Sequence, residues 1–249
     1  MPFFSYRFFL RRRFPQRVQK VSIDAGFTCP NVDGTVATGG CTFCDNRSFS
    51  PSRRLPRAGI LGQIDQSLER MRLRYRKCRH FLAYFQPATN TYAPVDRLRQ
   101  VYEEALSHPQ IVGLVVGTRP DCVPNDVLGL LEELAGRTYL SVEYGMQTMH
   151  DRSLDWMNRG HHHDAMIDAV ERSRGRGFEI GAHVILGLPG ESRDDMLATA
   201  RELGRLGIDA VKIHNLYCVK DTPLADQVAA GEVRLLERDE YVSLVVDFI

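Results

Sequence analysis

Short apolar runs alternate with longer stretches of helical periodicity from residue 18 to residue 216. The runs Val18–Ala25, Phe81–Phe85, Ile111–Val116, Tyr139–Tyr144, Ile180–Leu186 and Ala210–Leu216 read as strands by their β-branched and aromatic content. Between them, Gly62–Arg76, Val95–Ser107, Asn125–Ala135, Ala165–Arg176 and Asp194–Leu206 carry apolar positions at helical spacing, and Ser192 with Asp195 has the form of a capping box. Six β-α units in strict order imply a parallel sheet with right-handed crossovers. A closed eight-stranded barrel needs two more strands than the pattern supplies, so the expected fold class is α/β, a partial (β/α)6 TIM-like barrel. No repeat, low-complexity tract or linker divides residues 1–249, which read as a single domain with residues 1–16 as a basic N-terminal extension. From Leu235 the amphipathic positions Leu236, Tyr241, Leu244, Val245, Phe248 and Ile249 stop without Gly, Pro or a basic terminator, so the C-terminal helix is expected to be incomplete.

At 249 residues, 43% hydrophobic and 25% charged, the chain can bury a core of α/β-barrel size. No run approaches the roughly eighteen apolar residues of a membrane span, and no secretory segment precedes the first strand, so a cytoplasmic protein with no membrane partner is expected. The 32 basic and 31 acidic side chains nearly balance, but their distribution is uneven. Arg7, Arg11, Arg12, Arg13, Arg17 and Lys20 form one cluster, and Arg70, Arg72, Arg74, Arg76, Lys77 and Arg79 another. Such runs are ordinarily solvated faces; flanking a chemical loop, they also suit a phosphate-rich partner.

That loop follows the first strand. Cys29, Cys41 and Cys44 sit among Gly, Pro, Thr and Asp, and Asp33-Gly34 and Gly39-Gly40 let the backbone curl until the three thiols converge on one metal centre. Three protein ligands leave one position open on an iron–sulfur cube, whereas structural zinc normally takes four. Zinc with Asp45 or a distant His as fourth ligand remains an alternative, and with it a non-catalytic zinc-binding module. Cys78, Cys122 and Cys218 stand alone and read as buried or incidental.

In parallel α/β folds the site lies where the strands end, and polar residues collect there. Gln86 to Tyr92 follow the second strand and Gly117-Thr118-Arg119-Pro120-Asp121 the third. The fourth offers Glu143, Gly145 and Gln147, the fifth His183 and Gly187-Leu188-Pro189-Gly190-Glu191, and the sixth His214, Asn215 and Tyr217. Each has a plain structural reading as well: Gly187–Gly190 as a tight turn, Glu143 and Gln147 as mutual partners, and His161-His162-His163 as solvated histidines.

Taken together, residues 17–31, Gly39-Gly40-Cys41-Thr42-Phe43-Cys44, Tyr84-Phe85-Gln86 with Thr89-Asn90-Thr91-Tyr92, residues 117–121, Asn158-Arg159-Gly160-His161 and residues 186–191 resemble the radical S-adenosylmethionine (SAM) enzymes. Within them the resemblance is to the Elp3/coproporphyrinogen-dehydrogenase-like branch and its YhcC/YtqA-like bacterial group, and it covers nearly all of residues 6–249. It implies a [4Fe–4S] cluster on Cys29, Cys41 and Cys44 whose open iron chelates SAM, and reductive SAM cleavage to a 5′-deoxyadenosyl radical. It also implies SAM contacts from Phe43, Gln86, Glu143, Gln147, Arg159 and His183, and an electron donor such as flavodoxin or ferredoxin. Catalytic residues toward substrate stay unassigned. The eleven-residue gap before Cys41 is longer than in the commonest signature, His183 stands where some relatives carry a carboxylate, and the usual Gly-Gly-Glu turn is missing near Gln86. The group's link to the tRNA wobble uridine makes tRNA the expected substrate, with a small metabolite or a protein as the alternative.

Overall fold

In a computed structural model of the chain, which describes residues 3–49 and 58–249, six strands form one parallel sheet in sequential order. They are β1 (Val18–Ile23), β2 (His80–Phe85), β3 (Ile111–Thr118), β4 (Tyr139–Gln147), β5 (Glu179–Leu186) and β6 (Ala210–Asn215). Each strand is followed by helix: α2 (Asn46–Phe49) and α3 (Ile60–Arg74) after β1, α4 (Val95–Leu106) after β2 and α5 (Asn125–Ala135) after β3. After β4 come α6 (Asp151–Trp156) and α7 (His163–Ser173), after β5 α8 (Arg193–Arg205), and after β6 α9 (Pro223–Ala229) and α10 (Arg238–Phe248). An additional helix, α1 (Tyr6–Arg13), precedes β1. Right-handed crossovers on one side of a twisted sheet curl it into the expected half-barrel. All six strands and five long helices fall where the periodicity placed them, with ends shifted by up to three residues.

The shifts have local causes. β1 stops at Ile23 instead of Ala25 because Gln63 of α3 takes both backbone groups of Asp24, accepting from its N–H and donating to its carbonyl, each at 2.8 Å. β4 runs on past Tyr144 through an irregularity in its pairing with β5, which leaves Gln147 at φ 69°. The Ser192–Asp195 capping box opens α8 as anticipated.

Alternate residues of the strands face two cores. Outward, Val21, Ile23, Phe81, Phe85, Leu114 and Val116 pack on the apolar stripes of the helices. Inward, Val18, Leu82, Tyr84, Val115 and Tyr139 meet Leu10 of α1, which closes the amino end of the barrel. Burying a Leu of this kind contributes about 1.5–3 kcal/mol, which anchors a helix whose other side chains are largely exposed. α10 likewise packs Leu244 and Phe248 into the outer core, leaving Val242 and Val246 exposed.

Both basic clusters lie at this amino end. Arg11, Arg12 and Arg13 form the last turn of α1 ahead of β1, and Arg72 and Arg74 the last turn of α3 ahead of β2. The ring of Tyr75 joins them, with Arg17 at 5.1 Å and Arg74 at 5.4 Å from its centroid. They do not flank the cysteine loop, which starts at the opposite, carboxyl end of β1.

Candidate functional site

The loop from Asp24 to Asp45 folds on its own turns. Asp24 accepts from the Gly26 N–H at 2.9 Å, the Cys29 carbonyl accepts from Val32 and Asp33, and Gly40 N–H reaches Asn31 O at 2.8 Å. Cys44 N–H closes a turn on Cys41 O at 2.9 Å. Neighbouring loops brace it. Thr89 N–H donates to Thr28 O at 3.2 Å, Tyr92 and Thr35 share a hydroxyl bond of 2.8 Å, and Thr42 bonds Met157 and Trp156 at the end of α6. The Thr89–Tyr92 motif is therefore scaffold: Asn90 spans from Phe85 O to Gly117 O across β2 and β3.

Asn158-Arg159-Gly160 locks against the same loop. Asn158 adopts φ 54° and donates to Gly40 O at 2.9 Å, while Asn31 donates to Arg159 O at 3.1 Å. Gly160, at φ 69°, lies so close to Val36 and to Asn31 Oδ1 that no Cβ fits there. The result is a thiol with two donors aimed at it: Arg159 Nη1 lies 3.5 Å and Asn31 Nδ2 3.6 Å from Cys41 Sγ. Arg159 Nη2 also donates to Gly145 O at 2.8 Å, and a Cβ on Gly145 would stand 2.8 Å from that nitrogen and 2.9 Å from Gln147 Nε2. Gly145 is thus the cradle in which Arg159 and Gln147 meet.

Cys29 and Cys41 stand near enough to Cys44 to add to the burial that pushes its thiol up to about 12, while Arg159 opposes them. Among the described residues no three His, Cys, Asp or Glu side chains are gathered tightly enough to hold a single metal ion. Around the thiols, donors are left over. Arg159 Nε and Arg119 Nη1 are buried without a hydrogen-bond partner, although Arg119 is gripped on its other side by Asp121 at 2.7 and 2.9 Å. Arg119 belongs to a motif legible in the sequence, yet its orientation toward Cys29 depends on the β3 register and the turn at Pro120. Cys122 is buried, as its sequence setting suggested, but it lies near Asp121 and Cys29. It is buried behind Asp121, and burial pushes it up to about 12, with Asp121 and Cys29 adding to the shift.

The remaining expected residues separate into two levels. Phe43 packs beside Leu154, Met157, Ile185, Leu188 and Leu216 at the carboxyl ends of β5 and β6, and Gln86 accepts from Ser22 Oγ at 3.3 Å. Glu143 and His183 lie deeper on the inner wall. Glu143 is not the partner of Gln147; it is ion-paired with Lys20 and accepts from His183 Nε2 at 2.7 Å. With Nε2 donating, His183 Nδ1 is the acceptor for His214 Nε2 at 3.2 Å, a tautomer chain fixed by its partners. Burial alone would raise Glu143, but His183 and the Lys20 ammonium outweigh it and hold the carboxyl far below its usual range. Burial, with His183 and Lys212 adding, lowers His214 to about 3. The three consecutive histidines also diverge. His162 is exposed on Asp155, His163 bonds Glu202 at 2.8 Å, and His161 turns toward Arg159 and Asp121, lowered to about 4 chiefly by burial.

Comparisons with known proteins agree with this architecture. The Radical SAM superfamily profile matches residues 34–203 and the Radical_SAM C-terminal domain residues 208–249. YtqA of Bacillus subtilis is 40% identical over 243 residues, 98% of this chain and 75% of that protein. A tRNA uridine(34) acetyltransferase of Methanocaldococcus jannaschii is 27% identical over 150 residues, covering 59% of this chain and 27% of its own length. Among solved structures, an N-terminally truncated Elp3 from Methanocaldococcus infernus superposes with a TM-score of 0.65 at 18% identity, over 93% of this chain and 53% of that one. With most of its barrel matched by the superfamily profile and a 40% identical relative spanning nearly its whole length, the chain belongs to the radical SAM superfamily.

Proposed function

We propose that the protein is an enzyme that holds a [4Fe–4S] cluster on Cys29, Cys41 and Cys44, binds SAM at its open iron and cleaves it reductively. The observation that carries this reading is the set of buried donors around the thiols: Arg159 Nη1 and Asn31 Nδ2 directed at Cys41 Sγ, and Arg159 Nε and Arg119 Nη1 left without a partner. Three thiolates on an electron-rich cube, next to a carboxylate ligand, are the anionic load that such donors would neutralise. When bound, the cluster would supply the electron for reductive cleavage of SAM and thereby the means to abstract a hydrogen atom from substrate.

The chain's own residues have separate tasks. Asn31 and Arg159 fix the Cys41 thiolate and screen its charge. Gly145 gives Arg159 and Gln147 the room to present their outer nitrogens to the SAM amino-acid moiety, with Phe43 as the apolar surface beside the adenine. Gln86 is offered as a further contact at the end of β2. Glu143 and His183, bound to each other, face the chamber below. The 5′-deoxyadenosine released from SAM by the reconstituted, reduced protein tests the reading, and a fully iron-loaded protein that releases none overturns it.

For substrate we favour the side chain of a tRNA wobble uridine, on the strength of the relative that acts on uridine 34 of tRNA. The joined arginine clusters at the amino end would hold the RNA at a distance from the cluster. The ionic inner wall of the barrel favours the other reading, a small charged metabolite. Loss of a modified wobble nucleoside in a deletion strain decides between them, and an unchanged tRNA nucleoside profile favours the metabolite. A flavodoxin or ferredoxin is the proposed electron donor, and a cytoplasmic setting suits such reductive chemistry; no helix among the described residues is long and apolar enough to cross a membrane.

A further inference from the structure

β4 ends on a backbone conformation that its sequence does not favour. Gln147 stands at φ 69°, in the left-handed region, and the Thr148 N–H donates across it to Met146 O at 3.0 Å. A three-residue turn closed through a residue of positive φ is the strained form of the γ-turn. Glycine adopts such a φ freely, whereas a long side chain pays a steric penalty there. Strain of this kind persists only where the surroundings over-determine it, and it collects at functional sites. Here it folds the Gln147 side chain back over Gly145. Gln147 Nε2 lies 2.9 Å from the position a Gly145 Cβ would take, and Arg159 Nη2 lies 2.8 Å from the same point.

The restraint on that turn comes from the chain beyond it. Thr148 is 1% exposed, and its hydroxyl donates to Glu191 Oε1 at 2.7 Å while accepting from the His150 N–H at 3.2 Å. Thr199 of α8 stands 3.4 Å from the same hydroxyl and accepts from the Met149 N–H at 3.4 Å. Glu191 closes the Gly187-Leu188-Pro189-Gly190-Glu191 turn, its N–H donating to Leu188 O at 3.1 Å. Leu188 is buried in the cluster against which Phe43 packs. One turn after β5 thus reaches both parts of the proposed SAM surface: Phe43 through Leu188, and Gln147 through Glu191 and Thr148. The carboxyl is held there against a penalty, since burial pushes Glu191 above its usual range.

We propose that Glu191 and Thr148 are positioning residues for Gln147: together they latch the strained turn that presents its carboxamide to the amino-acid moiety of SAM. The inference rests on the proposed function, because it takes Gln147 as a SAM contact. The latch acts only through Gln147. Removing the acceptor of the Thr148 hydroxyl lets the turn relax toward ordinary φ and draws the Gln147 carboxamide away from Gly145. Cys41 keeps its place, since its two donors, Asn31 and Arg159, come from other segments.

Equilibrium dialysis of radiolabelled SAM against the anaerobically reconstituted, unreduced protein, with iron content measured alongside, tests this without turnover. Glu191→Ala and the isosteric Thr148→Val should each weaken SAM binding on the order of tenfold at unchanged iron loading. Glu191→Gln, which keeps an acceptor oxygen for the Thr148 hydroxyl, should bind SAM as the wild type does. In a Gln147→Ala background, Glu191→Ala should weaken binding no further, a result that general destabilisation would not produce. The latch is overturned by wild-type affinity in Glu191→Ala and Thr148→Val, by a loss of iron that accounts for the weaker binding, or by an undiminished Glu191→Ala effect in the Gln147→Ala background. Equal weakening by Glu191→Gln and Glu191→Ala also overturns it. Each of these results leaves the SAM reading standing, whereas a fully iron-loaded wild type that binds no SAM overturns that reading and the latch with it.

Discussion

Cys41 is the thiol on which the site turns, because two donors from different parts of the chain, the Asn31 carboxamide and the Arg159 guanidinium, converge on it. Hydrogen bonds to cluster sulfurs raise the reduction potential by stabilising the more electron-rich state. Removing one, in Asn31→Ala, should lower the cluster potential; one net hydrogen bond of about 1 kcal/mol corresponds to roughly 40 mV for a one-electron couple. Redox titration followed by EPR reads it, and an unchanged potential would show that Asn31 serves only the loop backbone. Deeper in the barrel, His214 has a pH signature. Its folded-state value of about 3 lies below its ordinary 6.5, so as pH falls from 6.5 the unfolded chain binds a proton that the folded one refuses. Stability is therefore fully present above 6.5 and is lost as pH falls toward 3. Urea midpoints between pH 6.5 and 5, where Glu143 does not yet titrate, should fall less steeply in His214→Gln, by at most about 1.4 kcal/mol per pH unit. That Cys29, Cys41 and Cys44 come near one another was legible from their spacing, whereas the Lys20–Glu143–His183–His214 chain was not. It joins β1, β4, β5 and β6, and cross-strand register is invisible in a linear sequence; the scarcity of lysine was the one signal that pointed toward it.

Elements were read most reliably where burial on the helix or sheet face is continuous. β4, buried at eight of its nine positions, was unmistakable, and so was α5 with its five buried aliphatics. The helices that escaped notice are short or weakly buried: α6 and α9 have six and seven residues, and α1 buries Leu10 as its single fully enclosed side chain. Such segments show less than two turns of periodicity or too few apolar positions for a stripe. End positions were missed where a side chain from elsewhere intervened, as Gln63 does at Asp24. The cap at Ser192 was readable because it is local. Ser192→Ala removes the acceptor for Asp195 N–H and should cost about 1 kcal/mol of stability, measured as a shift in urea midpoint without loss of iron binding; no shift would mean that the backbone contacts of Asp195 suffice.

On the scale of the whole molecule, chemistry and positive charge occupy opposite ends of the barrel. The cysteine loop, Arg119 and Arg159 gather at the carboxyl ends of the strands, while the two arginine clusters meet through Tyr75 at the amino ends, roughly 20 Å away along a six-residue strand. This separation makes the two proposed functions separable by mutation. Changing Arg11, Arg12 and Arg13 together to Ala should weaken tRNA binding and flatten its salt dependence by about one unit of slope per lost phosphate contact, while leaving SAM cleavage without substrate unchanged. Filter binding across a salt series is the assay, and indistinguishable slopes would remove the amino end as an RNA surface.

The central claim is that Cys29, Cys41 and Cys44 hold a cluster that cleaves SAM, and the most direct measurement is 5′-deoxyadenosine formed by anaerobically reconstituted, dithionite-reduced protein, alongside its iron and sulfide content. The account predicts slow product formation by the wild type, loss of both cluster and product in Cys41→Ala, and retention of both in Cys78→Ala. A Cys41→Ala protein with full iron loading, or a fully loaded wild type that yields no 5′-deoxyadenosine, would contradict it.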